Sequence, residues 1–239
     1  MIKQGEFIKN ISKALTDLQH GKFVLIYDSE NREGETDFVM ASQFVTAESI
    51  KRMRQDGGGL IFIMTSKEIA DRLQLPFLAD MYEHISDRYP VLNDLAPNDI
   101  PYDTKSSFSL YINHRETFTG ITDKDRSLTM QRFADIIKKT NNIDSKSAVK
   151  EFGKEFRSPG HVPLCVASED LLNKRRGHTE LVVALLQMAE LIPAGSGCEI
   201  LGNNGRALSK LDAKNYANKN NLIFLEGKEI IQAWKKWSK

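Results

Sequence analysis

An apolar stretch, Phe23-Val24-Leu25-Ile26-Tyr27, runs directly into Ser29-Glu30-Asn31-Arg32-Glu33-Gly34-Glu35-Thr36-Asp37-Phe38, which places four carboxylates within eight residues. A second apolar stretch, Phe38 to Phe44 around Val39-Met40-Ala41, follows at once. Both apolar runs read as buried strands, with the acidic segment as a hairpin-like link between them. If the link is extended, alternate side chains share a face, and Glu33, Glu35 and Asp37 point the same way. Like charges stacked this closely repel unless a cation sits among them. A charged run is ordinarily a solvated loop. Gly34 and Arg32 speak for more, the first allowing unusual backbone angles and the second offering a fork suited to phosphate. Carboxylate oxygens are also the ligands that Mg²⁺ prefers.

The rest of the chain alternates strands and helices irregularly. Ile2, Phe7, Ile8, Ile11, Leu15 and Leu18 follow helical spacing, and Gly21 ends that helix. Thr46 caps a helix through Arg54, closed by Gly57-Gly58-Gly59 before the strand Leu60 to Met64; Ser66 caps the next helix. From Pro76 to Pro101 four prolines predict loops around short helices. Ser107 to Asn113 reads as a strand, and Ser127 begins a helix to about Thr140. Val162 to Ala167 is a strand, His178 to Leu191 an apolar helix, and Cys198 to Leu201 a strand. A helix from Ser209, a strand from Asn221 to Leu225 and a last helix with Trp234 and Trp237 complete the order. The pattern predicts an α+β fold, an α/β sandwich whose mixed sheet is flanked by helices, in a single domain spanning 1–239.

Charge narrows the partners. Lys plus Arg total 33 and Asp plus Glu total 32, so nothing supports broad attraction to nucleic acid or an anionic membrane. Two cysteines, Cys165 and Cys198, are too few for a disulfide framework and not spaced as a zinc site. A polar N-terminus and the lack of any run of about 20 apolar residues predict a soluble, cytoplasmic protein.

Two further segments carry chemistry. Arg175-Arg176-Gly177-His178-Thr179-Glu180 stands at the start of the apolar helix, where free backbone N–H groups beside two arginines and a threonine make a phosphate cradle. The bland alternative is an N-capped helix with a basic pair on the surface, and His178 could equally serve as a metal ligand. Phe156-Arg157-Ser158-Pro159-Gly160-His161 is a turn entering a strand, where a histidine is ordinarily a structural hydrogen-bonder. Glu199 stands between Cys198 and Ile200 in an apolar strand, so it is paired or has a shifted pKa suited to moving protons.

In one order, REGETD, GGGLI, TGITDKDR, FRSPGHV, RRGHTE and CEILGNNG resemble the 3,4-dihydroxy-2-butanone 4-phosphate synthase family of riboflavin biosynthesis, in its stand-alone form. The resemblance covers nearly the whole chain from about Phe23. It implies a lyase that converts D-ribulose 5-phosphate to L-3,4-dihydroxy-2-butanone 4-phosphate and formate, using one or two Mg²⁺ (or Mn²⁺) ions per subunit. It also implies a homodimer with active sites at the subunit boundary. Carried over by position, Glu33 and His178 would bind the metal, while His161 and Glu199 would form the acid–base pair. Arg32, Glu33, Glu35, Asp37, Glu199 and the run Arg175, Arg176, Gly177, His178, Thr179 would contact substrate, with Arg175 and Thr179 nearest the phosphate. Two positions depart from the family pattern. Phe62 replaces a common cysteine, and Arg176 replaces a second glycine, which requires ordinary backbone angles there. A catalytically silent sugar-phosphate binding protein of the same fold is the alternative function, and an RNA-associated module is disfavoured by the near-neutral charge.

Overall fold

The computed structural model describes residues 4–238, with side chains from residue 9 onward. The first helix, α1 (Gln4–Gln19), buries Ile11 and Leu18 and partly buries Leu15, as their spacing requires. Ile2 and the side chains of Phe7 and Ile8 lie outside the described residues.

Strands β1 (Val24–Tyr27) and β2 (Thr36–Ala41) form an antiparallel pair, with Tyr27 opposite Thr36. Every residue of both is buried, which is why the sequence shows continuous apolar runs rather than alternation. β2 ends sooner than its hydrophobicity suggests, because Ser42–Phe44 turns into a 3-10 helix. Thr46 caps α2 (Ala47–Arg52), which passes through a π-helical turn at Met53–Gly57 into β3 (Gly58–Thr65). Ser66 then caps α3 (Lys67–Leu73). The proline-rich middle holds two short helices, α4 (Leu78–Ile85) and α5 (Val91–Asp94), before β4 (Phe108–His114).

Three elements differ from the expectation. α6 (Asp123–Thr140) starts within the charged turn rather than at Ser127, because the Thr122 side chain accepts the Asp125 N–H and caps it there. α7 (Ser145–Glu155), capped by Asp144, was not anticipated; among its described residues only Ala148 is fully buried, so its periodicity is faint. β5 (Phe156–Val166) begins before the Pro-Gly pair. Its register on β4 jumps from Asn113↔Arg157 to Ile112↔Val162, so 158–161 form a bulge that carries His161. The remaining elements, α8 (His178–Met188), β6 (Ala194–Ile200), α9 (Lys210–Lys219), β7 (Ile223–Glu226) and α10 (Gly227–Trp237), follow the sequence reading within a few residues.

Together the strands make one mixed sheet of order β4-β5-β3-β6-β2-β1-β7, in which β5–β3 and β1–β7 are parallel and the other pairs antiparallel. Helices cover both faces. Val24, Ile26, Val39 and Met64 pack with residues of α1, α8 and α10, whereas Leu25, Phe38, Ile63 and Val162 pack with those of α2, α3 and α6. No helix among the described residues is long and apolar enough to cross a membrane. Arg176 has no left-handed backbone, so its side chain is accommodated without strain.

At the β7–α10 junction, buried Glu226 accepts from Lys210 at 2.8 Å and Lys214 at 2.9 Å and pairs with Lys228 at 2.8 Å. Burial opposes its charge, but the three lysines hold it at about 2. A carboxyl depressed below its usual value contributes stability that is present above about pH 4.5 and lost as the pH falls toward 2. Glu226→Gln is expected to lower the unfolding free energy by about 1 kcal/mol at pH 7, since the exposed lysines are screened by solvent. Urea denaturation at pH 7 and pH 3 checks this, because the difference between variant and parent should shrink at the lower pH.

Candidate active site

The acidic link does not remain extended. Residues 28–35 form a turn built around Asp28, whose carboxylate accepts the backbone N–H of Glu33 at 3.0 Å and of Glu35 at 3.1 Å. Gly34 takes the left-handed conformation this turn needs, with φ +67°. Side-chain convergence survives for a different reason from the one the alternation suggested. Glu33, Glu35 and Asp37 all line one cavity of about 450 Å³, together with Arg32, Phe62, Arg175, His178, Thr179 and Glu199. Of the carboxylates only Asp37 and Glu199 are placed by strand register, directly opposite each other on β2 and β6. Carboxylates in that relation repel.

The cation among them is His178, the first residue of α8. Its Nδ1 lies 3.0 Å from Glu33 Oε2, its Nε2 faces the Ile26 carbonyl at 3.2 Å, and Asp37 Oδ1 stands 3.7 Å away. Both ring nitrogens thus face acceptors, an environment for imidazolium. Burial opposes that charge, but Asp37, Glu33 and Asp28 carry the ring up to about 10. Burial also works against Glu33, whose hydrogen bond from His178 and its Arg32 neighbour nevertheless hold it at about 2. Asp37 is fully buried, its Oδ1 lacks a hydrogen-bond partner, and burial pushes its pKa well up. Glu33 is therefore the carboxylate held charged beside the ring, whereas for Asp37 burial opposes the charge that His178 favours. Glu35 and Glu199 are likewise raised, chiefly by burial.

A β-bulge places Glu199. The register of β3 on β6 shifts between Gly58 and Ile61, which frees the Leu60 N–H to donate to Glu199 Oε2 at 2.8 Å. Gly59 is required here, because a Cβ would meet Glu199 Cβ at 2.8 Å and its carbonyl oxygen at 2.9 Å.

The opposite end of the cavity is cationic. Arg175 Nη1 donates to Glu180 at 2.7 Å and its Nε to Asp103 at 2.5 Å. Arg32 reaches Glu33 at 2.7 Å and Asp103 at 3.1 Å, and its guanidinium lies 5.0 Å from the Tyr102 ring centre. Thr179, Lys105, Ser106 and Ser107 complete that end. Gly177 N-caps α8 and donates its N–H to Glu180 Oε2 at 3.2 Å, so the run from Arg175 to Thr179 presents a helix N-terminus, which favours anions. Arg176 faces instead a neighbouring cavity of about 840 Å³, lined also by Lys174 and Arg175.

His161 lies outside the 450 Å³ cavity. It is exposed at the β5 bulge, where Asn113 accepts its backbone N–H at 2.8 Å and faces ring Nδ1 at 3.0 Å. With the Asn113 amide donating, Nδ1 is the acceptor and Nε2 carries the proton. Sequence reading missed Asp28, Asp103, Glu180 and Asn113. Only Glu180 carried a signal, as the carboxylate at the third position of a helix. Cys165 also lines the cavity beside Phe62, and burial pushes its thiol up to about 12, so it stays protonated.

Substituting Gly59→Ala should displace Glu199 while sparing the cationic end. A loss of about 1–3 kcal/mol in urea unfolding is expected from the overpacking, and an unchanged unfolding midpoint would contradict the bulge geometry.

Comparisons with known proteins agree with this architecture. The profile of the 3,4-dihydroxy-2-butanone 4-phosphate synthase family matches residues 12–233. The synthase of Methanothermobacter thermautotrophicus is 44% identical over 230 residues, covering 96% of this chain and 97% of its own. That of Methanosarcina mazei is 45% identical over 233 residues, covering 96% and 93%. The solved synthase of Candida albicans superposes with a TM-score of 0.70 at 27% identity, covering 93% of this chain and 96% of its own. A synthase structure described as containing two magnesium ions shares the fold, with a TM-score of 0.70 at 23% identity over 95% of this chain and 96% of its own. The chain belongs to the 3,4-dihydroxy-2-butanone 4-phosphate synthase family.

Proposed function

We propose that this chain converts D-ribulose 5-phosphate to L-3,4-dihydroxy-2-butanone 4-phosphate, releasing C4 as formate and supplying the four-carbon unit of riboflavin. The observation that carries this reading is the convergence on one cavity of carboxylates, an imidazole and two guanidiniums, with Arg32 bridging the two sets at 2.7 Å from Glu33. A polyhydroxy ketone with a terminal phosphate presents the complementary arrangement.

The carboxylate end fits a divalent cation. Glu33 Oε2 and His178 Nδ1 are 3.0 Å apart, which matches the edge of an octahedron with bonds of about 2.1 Å. Nε2 on the Ile26 carbonyl orients the ring for a ligand at Nδ1. Asp28 also lies in the cluster, but its oxygens already accept two backbone N–H groups, so it organises the turn rather than binding metal. Glu33 and His178 would hold Mg²⁺ or Mn²⁺, one or two ions per subunit. Bound there, the metal supplies Lewis-acid stabilisation of negative charge developing on substrate oxygens.

The protein's own groups account for the remaining requirements. Arg175 and Thr179, with Arg32 and Gly177, hold the phosphate and so fix the reacting carbons, while Arg176 adds charge from the neighbouring cavity. Glu35 and Asp37 face the sugar hydroxyls. Asp37 and Glu199 have pKa values raised chiefly by burial, the direction that suits carboxyl groups exchanging protons with substrate. His161 completes the acid–base set from a second copy of the chain. That assignment is supported by its exposure outside the cavity and by Phe118, 93% exposed in the segment held by Arg157. An apolar ring so exposed is suited to an interface. Two free cysteines fit a cytoplasmic home.

Formate release from ribulose 5-phosphate, dependent on Mg²⁺ and abolished by EDTA, tests the reaction. Glu33→Ala and His178→Ala should each lower turnover about 100-fold or more while remaining folded; near-normal turnover in either would refute the metal assignment. Substrate binding without formate would instead identify a catalytically silent binding protein. Mixing His161→Ala with Glu199→Ala should recover about a quarter of parental activity, because half the random dimers contain one intact shared site. No recovery on mixing folded, exchanging variants would contradict a shared site.

A further inference from the structure

Besides the pairing of Arg32 with Glu33 at 2.7 Å, Arg32 and Arg175 each have partners of two kinds. Behind them stand Asp28 and Glu180, whose side chains are fully buried and belong to the turn after β1 and to α8. In front stands Asp103, on the loop between α5 and β4, whose Oδ2 alone accepts from both arginines, at 3.1 Å from Arg32 Nη2 and 2.5 Å from Arg175 Nε. Tyr102, beside it, lies against the Arg32 guanidinium at 5.0 Å. This loop separates two cavities. Residues Ile100 to Asp103 and Lys105 to Ser107 line both the cavity of about 450 Å³ and that of about 840 Å³. Lys174 and Arg176 stand on the far side of that partition.

We propose that Asp103 is a built-in stand-in for the substrate phosphate, so that ligand binding exchanges one anion for another and unlatches the loop 100–107. The proposal rests on the assignment of Arg32 and Arg175 to the phosphate. It follows from the geometry, because the rear carboxylates are buried and held by backbone N–H groups, whereas Asp103 bridges both arginines from a loop. It also predicts selectivity. A dianionic phosphate monoester brings more charge to the two guanidiniums than the single charge of Asp103, whereas a carboxylate ligand only matches it. The resident anion therefore filters ligands by charge, and its displacement lowers the apparent affinity of even the correct ligand.

Calorimetric titration of the full chain with inorganic phosphate tests the idea. Asp103→Asn and Asp103→Ala should each bind phosphate roughly tenfold more tightly, the scale expected for removing competition from one charged hydrogen-bond pair. In the parent, saturating phosphate should speed amide hydrogen exchange across 100–107. Equal or weaker phosphate binding by folded Asp103 variants would overturn the proposal, marking Asp103 as a brace for the arginines. If those variants fail to fold, exchange across 100–107 in the parent that is unaffected by phosphate overturns it equally. Arg175→Gln separates the two levels. Unchanged phosphate affinity in that variant would remove the phosphate assignment and the proposal together; weakened affinity without tightening in Asp103→Asn would remove the proposal alone.

Discussion

The contacts of His178 with Glu33 and with the Ile26 carbonyl organise this site. Asp28 and Glu33 cluster with His178 just beyond β1, and Asp37 faces Glu199 across the β2–β6 ladder. Buried carboxylates in such numbers oppose folding unless they are neutralised by protons or cations. The imidazolium reaches Glu33 through Nδ1 and the Ile26 carbonyl through Nε2, so it ties α8 to both the acidic turn and β1. Arg32 neutralises Glu33 from the other side at 2.7 Å. These contacts make the electrostatics of the site inseparable from the packing of α8 on the sheet.

The same constraint explains how the cavity acquires two ends. α8 begins at His178, so its N-terminus must lie over β1 and β2, and the residues just before it then reach Arg32 and Asp103. Glu180, completely buried three residues after Gly177, bonds the Gly177 N–H, the Ser168 N–H and Arg175, and thereby fixes the entry of the chain into the helix. Bulges supply the remaining adjustments. One in β3 turns the Leu60 N–H toward Glu199, and one in β5 lifts His161 away from the cavity. A regular ladder would satisfy Leu60 within the sheet and leave Glu199 without that donor.

Much of this was legible in the sequence because it depends on local rules. Continuous apolar runs marked the strands, cap residues marked the starts of α2, α3 and α9, and the family resemblance pointed to residues that line the cavity. The acidic alternation led to residues that line one cavity, but through an incomplete cause: Asp37 follows strand register, whereas Glu33 sits in a turn organised by Asp28. Asp103 could not be found this way, because its importance lies in contacts across 71 and 72 residues of sequence. Nor could the separation of His161 from Glu199. Both looked like members of one pair, and only the fold places one of them outside the cavity.

If His178 is the cation that balances these carboxylates, a metal at Nδ1 must replace a proton. Calorimetric titration with Mg²⁺ at pH 7.5, repeated in buffers of different ionisation enthalpy, counts the protons released. Because the ring is held up to about 10, release of about one proton per ion bound at this site is expected. Tight Mg²⁺ binding with no proton released would show that His178 is neutral in the free protein, and that something else balances the buried carboxylates.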